Sequence, residues 1–186
     1  LEPQMAVVTN IEPDHLDFYG TYSAVIEAFY RFLAQVPTEG HIVACYDDPT
    51  LRDLLQNRLP NFNNTLTYGL HPSADCSAKD IKGLPEGGHS FEISLENRSL
   101  GDFTIKLPGM HNIANALGAV AATHLIGVDT EVIRDTLAAF QGARRRFELI
   151  GQIKGITIID DYAHHHTEIK ATLAAARERY RKQRII

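Results

Sequence analysis

The chain has 186 residues, 44% of them hydrophobic and 22% charged, an ordinary globular balance with enough apolar material for a sizeable core. A formal net charge of -5 lacks the basic footprint of a dedicated nucleic-acid binder. No apolar run approaches the roughly 20 residues that span a bilayer, and no basic segment followed by an apolar core opens the chain. Cys45 and Cys76 show no CxxC spacing and read as free thiols of a reducing compartment. Strand-like residues stand at both ends where frayed polar tails are usual, which predicts a piece of a longer protein.

Met5 to Thr9 is a Val-rich run, predicted as a strand buried on both faces. TNIEPDH follows as a loop. Thr21 or Ser23 caps a helix to about Val36, with Val25, Ile26, Phe29, Leu33 and Val36 at helical period. HIVACY at 41–46 is the next strand. DDPTLRDLL opens a helix with an acidic cap and a proline, and TLTYGL at 65–70 is a third strand. Strand, helix, strand, helix, strand predicts an α/β fold with helices flanking a mostly parallel sheet.

From Ala74 to Leu107 apolar and polar residues alternate. Asn97 and Gly101 supply turn signals for an antiparallel hairpin or meander. MHNIANALGAVAATHLIG is a helix with a core face at Ile113, Leu117, Val120, Ala121 and His124, closed by Gly127. Asp129 and Thr130 open another, ending near Phe140. QGARRRFELIG loses the apolar period and reads as a boundary, dividing residues 1–141 from 142–186. Beyond it GITIID is a strand, Thr167 caps a helix and RII is a further strand. That is the first βαβ unit of a second, Rossmann-like domain, expected to be parallel.

Three stretches are richer than structure alone requires. In TNIEPDHLD, acidic residues at the carboxyl end of a parallel strand stand where open α/β sheets bind ligands, and could hold Mg²⁺. The plainer reading is a solvated turn, with Asp14 or Asp17 capping the helix that follows. In PGMHNIANALGA, His111, Asn112 and Asn115 stand at a helix N-terminus that favours anions, and Asn side chains can read an adenine edge. The plainer reading makes Asn112 an N-cap and Asn115 a surface residue. In RRRFE and IIDDYAHHHTE, an arginine can reach a phosphate, and a carboxylate of Asp160 or Asp161 a ribose hydroxyl. Three consecutive histidines invite zinc, but neighbouring residues cannot easily point at one ion. Neither G-x-x-x-x-G-K-[ST] nor G-x-G-x-x-G occurs.

Together and in this order TNIEPDHLD, PGMHNIANALGA, FQGARRRFE and DDYAHHHTE resemble the Mur ligases, and most closely their alanine-adding branch. These are cytoplasmic ATP-dependent amide-bond-forming enzymes of peptidoglycan precursor synthesis. The resemblance implies the later part of a central ATP-binding domain over 1–141 and the start of the C-terminal ligase domain over 142–186. It implies ATP and Mg²⁺ as cofactors, and UDP-N-acetylmuramate and L-alanine as substrates, joined through an acyl phosphate. No nucleic acid or membrane is implied.

The family's metal ligand falls on His15, although oxygen chemistry alone favours Asp14 or Glu12. His111, Asn112 and Asn115 would line the adenine pocket, Arg146 the ATP phosphates and Asp161 the ribose. Tyr162 and His164 would face the UDP-sugar or the amino acid. Nucleotide contacts on both domains imply domain closure. His166 replaces the family's usual proline, which puts that loop's geometry in question. The helix over 21–36 lacks the modified lysine of sister ligases, as in the alanine-adding branch. A ligase that adds a whole tripeptide shares the pattern, and Phe147 and Glu168 favour alanine. A non-catalytic nucleotide-binding module is the alternative of a different class.

Overall fold

Short apolar runs separated by capped helices assemble one six-stranded sheet, with its strands in sequence order. The computed structural model describes residues 3–59, 62, 64–85 and 87–186. Strands β1 (Met5–Val8), β2 (His41–Cys45) and β3 (Thr65–Gly69) run parallel. β4 (Cys76–Gly83) joins β3 in parallel over Tyr68↔Cys76 and Gly69↔Ser77. It then turns the sheet antiparallel through β5 (His89–Leu95) and β6 (Arg98–Ile105).

Local chemistry sets the helices. A short α1 (Leu16–Tyr19) precedes α2 (Tyr22–Leu33), where the Thr21 side chain accepts from the Ala24 N–H. The Asp48 carboxylate accepts from the Leu51 N–H and Pro49 fills the first turn of α3 (Pro49–Arg58). α4 (Met110–Leu125) lies across β2, β3 and β4, and α5 (Thr130–Ala139), capped by Asp129, lies against β6. Ile113, Leu117, Val120 and Ala121 of α4 are buried with Ile42, Tyr68, Phe91 and Phe103 of the sheet. Gly118 permits that approach, since a Cβ there would stand 2.9 Å from the Tyr68 ring. Cys45 and Cys76 are buried free thiols. Burial pushes both pKa values up, that of Cys76 to about 12.

Several details depart from the sequence reading. β1 alternates, and Val7 is 47% exposed, because β1 is an edge strand with β2 alone beside it among the described residues. His124 is exposed; the helical period carries it past the edge of the buried face of α4. The β5–β6 turn is made by Glu96 and Asn97, both at positive φ, while Gly101 (φ 85) sits inside β6 at a bulge.

The RRRFELIG stretch contains a strand. β7 (Glu148–Ile153) pairs antiparallel with β8 (Ile156–Asp160) through Lys154 and Gly155. Apolar residues on both faces of this hairpin are exposed, among them Leu149, Ile150 and Ile156, so no period marked it. α6 (His166–Arg179) follows, with His165 and not Thr167 at its N-cap. Residues 184–186 do not form the closing strand of the expected βαβ unit, since no strand lies beside them among the described residues. His166 is the first residue of α6, the position where proline is favoured for its fixed φ but not required. The helix therefore starts in place without it.

Leu117 is fully buried at the centre of this packing. Leu117→Ala is expected to lower stability by about 2–5 kcal/mol, read as a lower urea midpoint with an unchanged slope.

Candidate active site

A cleft of about 680 Å³ opens between the sheet unit and the segment that carries α6. One wall comes from the loop after β1 and from α4, with Asn10, Glu12, His111, Asn112 and Asn115. The other comes from Arg146, Phe147, Asp161, Thr167 and Glu168. Leu107, Leu137 and Phe140 give it an apolar floor.

The loop after β1 is anchored at Ile11, which is buried. Its N–H donates to Asp48 Oδ2 at 3.2 Å, and its carbonyl accepts the Tyr22 hydroxyl at 2.7 Å. The chain then turns through His15, whose φ of 52° lies in the left-handed region. Asp14 Oδ1 accepts the His15 N–H at 2.6 Å. The loop is therefore the polar turn that the plainer reading expected, but neither Asp14 nor Asp17 caps α1; His15 holds that position.

The N-terminus of α4 sits against α6. Gly109 has φ 93°, and a Cβ there would stand 2.7 Å from the His111 ring and 2.9 Å from the Ala175 methyl. Gly109, not Asn112, is the N-cap. The Asn112 side-chain amide donates to the Pro108 carbonyl at 2.8 Å, which fixes its orientation on the cleft wall. Burial pushes the His111 pKa down, against Asp161 and with Arg146, so the imidazole is held neutral at pH 7. Asn115 is exposed and borders the opening.

Across the cleft, Asp161 accepts the N–H groups of Phe147 (2.8 Å) and Ala163 (2.8 Å), tying the hinge to the end of β8. The Arg146 guanidinium lies 3.4 Å from Glu168 Oε1, and the side chain lines the cleft and is 57% exposed. Glu168 also accepts the N–H groups of His164 (3.2 Å) and His165 (3.4 Å), closing the first turn of α6. Farther along α6, Glu178 Oε1 accepts from Nε2 of His89 at 2.7 Å, while the buried Nδ1 of His89 has no partner among the described residues.

The cleft thus gathers His111, Asn112, Asn115, Arg146 and Asp161, with Glu12 at its edge, but not His15, Tyr162 or His164. His15 stands outside its lining, with a side chain 73% exposed. Tyr162 and His164 also lie outside it, their rings meeting edge to face with centroids 5.2 Å apart and with Arg145 over the Tyr162 ring. Thr167 and Glu168 were not anticipated as lining residues; the signal for Glu168 was its place three residues past an N-cap.

Magnesium prefers oxygen ligands. Glu12 and Asp14 are already engaged by protein donors, Asp17 is exposed, and no three His, Cys, Asp or Glu side chains form a metal cluster among the described residues. These residues do not by themselves fit a divalent cation.

The family model of the Mur ligase middle domain matches residues 1–123, and that of the Mur ligase glutamate ligase domain matches residues 145–186. The chain belongs to the Mur ligase family. The UDP-N-acetylmuramate–L-alanine ligase of Caldanaerobacter subterraneus subsp. tengcongensis is 40% identical over 184 residues, 99% of this chain and 39% of that protein. The enzyme of the same description from Sorangium cellulosum is 44% identical over 182 residues, covering 97% and 38%. The crystal structure of UDP-N-acetylmuramate-alanine ligase from Thermotoga maritima shares the fold at TM-score 0.80, 24% identity, over 98% of this chain and 40% of that one. The chain spans about two fifths of the length of these relatives.

The Glu168 carboxyl carries a pH signature. Burial pushes its pKa up, but the two backbone N–H donors and Arg146 outweigh this and hold it below the usual carboxylate range. A depressed folded pKa adds stability that is present above the unfolded value and lost as pH falls through the folded one. Acid is therefore expected to loosen the first turn of α6, with faster amide exchange there below the ordinary carboxylate range. Glu168→Gln is expected to weaken that dependence.

The carboxylate of Asp161 holds two N–H groups at once. Asp161→Asn replaces one acceptor oxygen by a donor and is expected to cost about 1.5–3 kcal/mol, measured by thermal unfolding.

Proposed function

We propose that the protein is an ATP-dependent ligase that joins L-alanine to UDP-N-acetylmuramate through an acyl phosphate. We further propose that the cleft is its nucleotide site, shared by a central domain over 1–141 and a C-terminal ligase domain over 142–186. What supports the reading most is that His111, Asn112 and Asn115 share one volume with Arg146 and Asp161, which lie 31 to 50 positions away in sequence.

The neutral His111 ring and the oriented Asn112 amide suit an adenine, with one flat face and one edge of donors and acceptors. Arg146 supplies positive charge where phosphates would lie. Asp161 keeps free lone pairs for a ribose hydroxyl beyond its two backbone donors. His15 is proposed as a Mg²⁺ ligand that needs the nucleotide's own oxygens to complete the shell, and the ion would neutralise phosphate charge. Tyr162 and His164 are proposed to meet the UDP-sugar or the amino acid from the rim.

The substrate carboxylate attacks the γ-phosphate, ADP leaves, and the alanine amine displaces phosphate from the acyl carbonyl. Positioning and charge neutralisation dominate such a transfer. No helix among the described residues is long and apolar enough to cross a membrane, and a cytoplasmic setting is proposed with the substrates.

Phosphate release by the full-length protein with ATP and UDP-N-acetylmuramate tests this. Release is expected to require L-alanine, and a requirement for a tripeptide would overturn the choice of amine. Arg146→Ala is expected to lower kcat/KM roughly 100-fold or more. The 186 residues alone, without a phosphate loop in their sequence, are expected to release none.

A further inference from the structure

Two side-chain contacts cross the cleft at its β1 end. The Thr167 hydroxyl donates to Glu12 Oε2 at 2.6 Å, and His165 Nε2 donates to Asp14 Oδ1 at 2.9 Å. The partners are 155 and 151 positions apart in sequence, so no local turn geometry accounts for either contact. Both carboxylates belong to the loop after β1, and both donors belong to the first turn of α6 or its cap. Each carboxylate is also held from its own side. Asn10 Nδ2 donates to Glu12 Oε1 at 3.0 Å, and the His15 N–H donates to Asp14 Oδ1 at 2.6 Å. Glu168 holds the opposite side, through the N–H groups of His164 and His165 and the contact with Arg146.

We propose that Glu12 and Asp14 are positioning residues that clasp the cleft shut on Thr167 and His165, and are not cation ligands. The clasp explains why acidic residues crowd a turn in which no metal cluster forms. Its contacts are charge-assisted and partly exposed, a combination that makes and breaks readily. One chain of contacts runs from Arg146 through Glu168 and His165 to Asp14 and so to the loop that carries His15. The clasp itself rests on geometry alone; its part in catalysis rests on the ligase reading above.

Hydrogen–deuterium exchange on the full-length protein separates the two. Thr167→Val removes the hydroxyl at nearly constant volume. It is expected to speed exchange at residues 10–16, on the opposite wall, and Thr167→Ser is expected to restore wild-type protection. Asp14→Asn is expected to speed exchange at residues 165–169. If neither loop responds to a change on the other wall, the clasp does not exist. In the alanine-dependent phosphate assay, Glu12→Gln and Thr167→Val are each expected to lower kcat roughly 10- to 100-fold. The double variant is expected to be no worse than the weaker single one. Additive losses would overturn the pairing, and unchanged kcat would overturn the positioning role. If the wild type releases no alanine-dependent phosphate, the ligase reading fails, and the exchange experiment still decides the clasp.

Discussion

No side chain can stand at residue 109, and the site depends on that. The glycine lets α4 begin with its first turn against α6, leaving the His111 ring and the Ala175 methyl where a side chain's first carbon would stand. A Cβ there would push the two units apart and open the cleft at its base. The cleft's polar groups have defined partners: Asn112 is turned back onto Pro108, His111 is desolvated, and Arg146 is paired with Glu168. The approach is small and apolar, so polar contacts at the rim decide how the two walls meet.

The seam between the walls is correspondingly light. Ala175 is the single buried residue of α6, and the β7–β8 hairpin leaves most of its isoleucines in water. A two-stranded hairpin is marginal by itself, and the remaining contacts are ion pairs and hydrogen bonds worth little individually at an exposed surface. The sheet, by contrast, is closed by α4 over Tyr68, Phe91 and Phe103. Packing is dense on one side of the cleft and light on the other.

Much of the fold was legible because its signals are local. Thr21, Asp48 with Pro49, and Asp129 announce their helices by capping chemistry, and the structure places each cap there. His111, Asn112 and Asn115 share a wall because one helix turn separates them, which spacing alone conveys. The misses have non-local causes. β7 carries no period because neither of its faces is buried. Val7 and His124 were misplaced because exposure depends on what lies beside a strand or beyond a helix's edge. The partners of Asp161 are backbone N–H groups up to 14 positions away, and they set the path of the turn that leaves Tyr162 and His164 outside the cleft. The acidic turn at 12–17 was legible as chemistry but not as contact, since its partners lie about 150 residues downstream.

The two cysteines have a consequence of another kind. Both thiols are buried beneath the sheet's own helices, and the Cys76 Sγ faces the Leu117 carbonyl at 3.7 Å. With their pKa values raised, neither presents a thiolate at neutral pH, and the thiolate is the form that peroxide or an electrophile attacks. This part of the molecule is therefore inert to oxidants and alkylating agents while it stays folded. A labelled cysteine here reports that the sheet has come apart.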